Sequence, residues 1–86
     1  SWSVDEKATA PFKVNTGDDH WTLVCGEVEF PNLVLGLYSL DGKEIWSEAW
    51  TRNRSYSIPF PEAKGLYVLS FRNLDGHEGA IRVLRP

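Results

Sequence analysis

The side chains able to make or break bonds in this sequence are few: two histidines, one cysteine and scattered carboxylates. Asp18, Asp19 and His20 form the densest group, at the end of the turn-prone stretch Thr16–Asp19. A zinc site takes three or four ligands that converge from separate segments, and one run rarely supplies that geometry. The group therefore reads as a solvated turn. His77 and Glu78 sit in a glycine-bounded loop and read the same way. Glycoside hydrolysis needs two carboxyl groups held at a fixed separation. Glu27 with Glu29, and Glu44 with Glu48, would instead share one face of a strand, where carboxylates normally meet water. No serine sits in a nucleophile elbow, and no glycine-rich loop leads into a helix that could cradle phosphate. Cys25 lies in the apolar run "WTLVCGEV" with no neighbouring base, so it reads as a small buried hydrophobe. The inventory predicts no enzyme, no metal and no cofactor.

Two other groups could bind rather than react. Trp46 and Trp50 are four residues apart on one expected strand, about 13 Å at about 3.3 Å per residue, and face the same side. Exposed, they could stack sugar rings, as in a carbohydrate-binding or adhesion module; buried, they are the core of a small sandwich. Glu48 would share their face. Arg72, Arg82 and Arg85 gather near the end of the chain, and the first two are expected to neighbour each other across the last hairpin. Charges on terminal strands discourage edge-to-edge association. The same arginines could form a docking patch for an anionic or acidic partner.

The elements that must position these residues have a period of two. The chain has 86 residues, the length of one domain, and 42% are apolar. Four Trp, four Phe and three Tyr supply large side chains for a small core. Residues 1–10 are polar and without period, and read as a linker or remnant; residues 11–86 form the domain. Seven short strands are expected: Phe12 to Asn15, His20 to Cys25, Leu33 to Leu40, Lys43 to Trp50, Tyr56 to Phe60, Leu66 to Arg72, and Ala80 to Leu84. Asp41-Gly42 signals a two-residue hairpin, and Asp75-Gly76 lies in a longer loop from Asn73 to Gly79. Seven strands with turns every eight to twelve residues predict an all-β fold, a seven-stranded antiparallel Ig-like β-sandwich. The net charge of −3 argues against nucleic acid as main partner. No run of apolar residues is long enough to span a membrane. With no methionine in it, the sequence is expected to be the C-terminal piece of a longer protein. An open sandwich edge would permit a homodimer by strand pairing.

Several stretches together resemble a family. "LGLYSLDGKEIW", then "YSIPFPEAKGLYVLSF", then a basic apolar last strand resemble the C-terminal sorting domain of type IX secretion cargo. Asp41, Gly42 and Lys43 stand at its hairpin, although the family usually has Asp where Ser39 stands. Gly65 and Tyr67 match its Gly-x-Tyr strand. Arg82 and Arg85 stand on the last strand, where the family carries basic residues, and Arg72 joins them in the candidate recognition set. The match runs from about Leu33 to Pro86 and is weak before that. The resemblance implies a non-catalytic address that directs a parent protein through the periplasm and across the outer membrane to the cell surface. It also implies its partners: the type IX translocon, an outer-membrane shuttle and a sortase, with anionic lipopolysaccharide involved indirectly. Cleavage by the sortase would fall in the linker, Ser1 to Ala10.

Overall fold

A computed structural model of the chain describes residues 12–25, 32–51, 53–73, 76 and 78–86. Seven strands are present: β1 (Lys13–Thr16), β2 (His20–Val24), β3 (Asn32–Ser39), β4 (Glu44–Thr51), β5 (Ser55–Pro59), β6 (Gly65–Asn73) and β7 (Glu78–Arg85). Each expected strand appears, displaced by a few residues at its ends. The described residues contain no helix long and apolar enough to cross a membrane. The expected linker, residues 1–10, and the Glu27–Glu29 pair lie outside the described residues, as do Asp75 and His77.

The strands form two antiparallel sheets, ordered β1-β2-β5 and β4-β3-β6-β7. Alternation sorts their side chains. Trp21, Leu23 and Ile58 from the three-stranded sheet meet Leu33, Leu35, Leu37, Trp50, Tyr67, Leu69, Phe71 and Val83 from the four-stranded one. No polar or charged residue is buried among those described, so the space between the sheets is held by apolar burial.

Aromatic rings collect at opposite sides of this core. Phe12 packs edge-on to Phe71 at 5.3 Å and tilted against Trp50 at 5.7 Å, and Tyr56 lies 6.1 Å from Trp50. Near β7, Trp21 is T-shaped to Phe60 at 4.8 Å and to Tyr67 at 6.1 Å. Such edge contacts suit the aromatic quadrupole and add to simple burial. Tyr56 thus reaches β4, while Phe60, just past β5, reaches Arg85 of β7. Those are the opposite edges of the four-stranded sheet, so β5 crosses it obliquely.

Two glycines are fitted to rings. A Cβ on Gly36 would stand 2.8 Å from the Tyr38 ring and 2.9 Å from Ser70 Oγ. A Cβ on Gly79 would stand 2.6 Å from the Phe71 ring. In both places an aromatic side chain lies across the glycine, one on each face of the sheet.

Candidate recognition surface

The β3–β4 hairpin is built by Ser39. Its amide donates to the Lys43 carbonyl at 2.9 Å, and the Gly42 amide donates to the Ser39 carbonyl at 3.0 Å. That pattern encloses Leu40, Asp41 and Gly42, with Gly42 at φ 92°. The expected two-residue turn is therefore a three-residue loop whose last residue takes the positive φ. The Ser39 hydroxyl donates to the Asp41 carboxylate and accepts from the Lys43 amide at 3.2 Å. The Ser39 hydroxyl first, then the Lys43 amide, hold the Asp41 carboxyl below its ordinary value. Asp41, Gly42 and Lys43 thus form a self-contained turn whose polar groups are largely used internally.

Gly65 and Tyr67 also have structural work. Gly65 opens β6 at φ 132°, a conformation that side chains rarely adopt. Tyr67 is buried, and its hydroxyl donates to the Ala63 carbonyl in the turn before β6. The ring fills the core while the hydroxyl pins the incoming chain. The Tyr67 side chain is buried, and Gly65 is half-buried at the start of β6.

The three arginines divide. Arg85 lies opposite Gly65 in register, on the inward side of β7 with Val83. Its guanidinium donates to the Glu62 carbonyl at 2.7 Å and sits 5.7 Å from the centre of the Phe60 ring. It clamps the end of the sandwich rather than extending from it. Arg72 pairs in register with Glu78, and Arg82 with Val68. Both are exposed on the outward face of the four-stranded sheet. They are four residues apart along the strand direction, about 13 Å, so the expectation that they neighbour each other is corrected. The reason is that β7 begins at Glu78, leaving a shorter loop than Asn73 to Gly79 and shifting the register.

Trp50 is 1% exposed, and its indole N–H donates to the Asn53 carbonyl at 2.8 Å. It has no face to offer a sugar, which corrects the stacking arrangement. Trp46 is half-buried against the core, 6.4 Å from Tyr56. Glu48 is exposed between them. Cys25 is buried, as expected of a small hydrophobe. His20 Nδ1 lies 2.6 Å from the Asp19 carboxylate, and this hydrogen bond, with the histidine's charge, lowers the Asp19 carboxyl from its ordinary value. No group of three or more metal-ligating side chains occurs among the described residues.

What sequence reasoning missed is the apolar content of the outward face. Val34, Ile45, Leu66 and Leu84 all lie there, each 39–52% exposed. Ile45 is the extra residue of a β-bulge opposite Tyr38. The signal was available in β6. Tyr67, Leu69 and Phe71 are apolar at one parity and Leu66 and Val68 at the other, a pattern of strands covered on both faces.

Comparison with known protein families, with curated proteins and with solved structures returned no match.

Proposed function

We propose that this chain is a non-catalytic sorting domain that directs export of its parent protein by the type IX system and its attachment at the cell surface. The observation that carries the reading is the placement of β7. The last strand occupies an edge of the four-stranded sheet, with Arg82 exposed on it. An edge strand can pair with a partner's strand through main-chain hydrogen bonds, while alternate side chains supply specificity. The stretches that carry the family resemblance also fall on the positions that build this unit: the Ser39–Lys43 loop, the positive-φ Gly65, Tyr67 and β7.

The finer fold assignment, an Ig-like sandwich, belongs to the same proposal. The order β1-β2-β5 and β4-β3-β6-β7 follows that of strands A-B-E and C′-C-F-G in Ig-like domains. Tyr67 near the start of β6, bonded to a carbonyl four residues upstream, reproduces the tyrosine corner found at the E–F junction of such domains.

The test is localisation of a reporter fused to residues 1–86, in a host that has the type IX system and in its translocon-null derivative. Surface or medium delivery in the first, with periplasmic retention in the second, is the expected result. Retention in both, with the fused domain shown to be folded, would overturn the reading.

A further inference from the structure

Among the described residues, β1, β5, β4 and β7 stand at sheet edges. An edge strand leaves a row of N–H and C=O groups able to pair with another chain, and proteins blunt such edges in recognisable ways. β1 is only four residues long. β5 has five residues and ends at Pro59, which has no N–H to donate. β4 has its bulge at Ile45 and carries Glu48, an exposed carboxylate in register with the buried Leu35 on the inward side. β7 is the least protected. It runs for eight residues without proline and pairs with β6 in unbroken register. Its one inward charge, Arg85, stands at the far end and is folded back onto Glu62 and Phe60.

The side chains of β7 say which strand fits that edge. Glu78, Ala80 and Arg82 follow one another on its outward side, and Gly79 and Ile81 on its inward side. The order acid, small, base is complementary to itself when reversed. An antiparallel second copy, related by a two-fold axis through Ala80, sets Glu78 of each copy opposite Arg82 of the other. Opposite charges directly across a ladder stabilise it, and like charges destabilise it. The same register sets Gly79 opposite Ile81 twice. The Phe71 ring lies across Gly79, and Ile81 is half-buried against the core. Each Ile81 would thus meet the Phe71 ring of the other copy. Centring the pair on Arg82 would set two arginines face to face. Centring it on Ile81 would set Glu78 against Leu84 and Arg82 against Ala80. Arg82 is already engaged within its own chain. A guanidinium has five N–H donors, so a carboxylate adds to that engagement.

We propose that the chain self-associates through β7, as a two-fold dimer in which the two four-stranded sheets join into one. The Arg85 clamp lies beyond the paired stretch Glu78–Arg82 and stays intact. The pairing occupies the edge that the export reading gives to a partner's strand, so self-association would cover that edge until a partner displaces it. The inference does not depend on export, because self-association is read on the purified chain and delivery in cells. The two can fail separately.

The test is sedimentation equilibrium of the folded chain from about 10 μM to about 1 mM. A monomer–dimer equilibrium is expected. Arg82→Glu alone, or Glu78→Arg alone, sets like charges opposite each other twice and should weaken the dimer at least about ten-fold. The two changes in one chain restore opposite charges and should return the dimer to within about three-fold of the unchanged chain. Circular dichroism shows that each variant is folded. Isotope-filtered NOEs from the Ile81 methyls of one copy to Gly79 of the other are expected to report the register. A chain that stays monomeric throughout, a double change no better than the single ones, or intermolecular NOEs that lie outside β7 would overturn the proposal.

Discussion

Tyr67 uses both halves of its side chain. The ring packs against Trp21, and the hydroxyl holds the Ala63 carbonyl. Tyr67→Phe keeps the ring and removes the bond, so it should cost about 1 kcal/mol, read as a lower urea midpoint with an unchanged slope. Gly36 is a different case, because its cost is steric. A β-branched side chain there must displace the Tyr38 ring, and Gly36→Val should cost about 1–3 kcal/mol in the same assay. Asp41 gives the fold an acid limb. Ser39 lowers its carboxyl in the folded state. The stability it contributes is therefore fully present above the unfolded value, near pH 4, and is lost as pH falls through the lower folded value. Ser39→Ala should flatten the fall in Tm below about pH 4. A thermal melt series on both proteins checks this, and an unchanged limb would assign the acid sensitivity to another carboxylate such as Asp19.

Among elements, β7 is held from both sheets. It pairs with β6 along its length, and its Leu84 carbonyl accepts the Trp21 indole N–H at 3.0 Å from the opposite sheet. Trp21→Phe should speed amide exchange in the second half of β7 more than in β3, measured by hydrogen–deuterium exchange. A uniform increase would mean that the indole bond has no local effect. The strands themselves were legible in the sequence, because two-residue alternation of apolar side chains is what burial between sheets requires. The hairpin loop was half legible. Asp41-Gly42 marks a turn, but its length is set by the Ser39 hydrogen bonds, which no dipeptide encodes. The arginines were least legible. Arg85 points inward and meets Glu62 and Phe60, residues more than 20 positions away, and the separation of Arg72 from Arg82 follows from the register of β7. The Gly65-x-Tyr67 pair was read as a signature; its physical content is a positive-φ strand entry and a buried ring with an anchored hydroxyl.

For the molecule as a whole, stability rests on a narrow apolar layer. A domain of this size holds about 0.05–0.15 kcal/mol per residue, so single core residues are large fractions of the total. Leu37 on β3 is fully buried. Leu37→Ala should remove about 2–5 kcal/mol. Urea unfolding followed by tryptophan fluorescence reads the loss, and a smaller effect would mean that the layer collapses around the gap. The candidate recognition surface was only partly foreseen for a related reason. Sequence patterning identifies which residues a core demands, whereas the outward face is defined by what is left over, and its meaning depends on how two sheets share one set of strands.

The bond from Trp21 to Leu84 spans 63 residues of sequence. The three-stranded sheet therefore reaches its final packing only when β7 is docked. Until β7 is in place, the Trp21 indole N–H lacks its acceptor, although the ring already meets Phe60 and Tyr67. Contacts between residues so far apart in sequence are slow to form. One indole hydrogen bond thus ties the packing of β2 to the docking of β7.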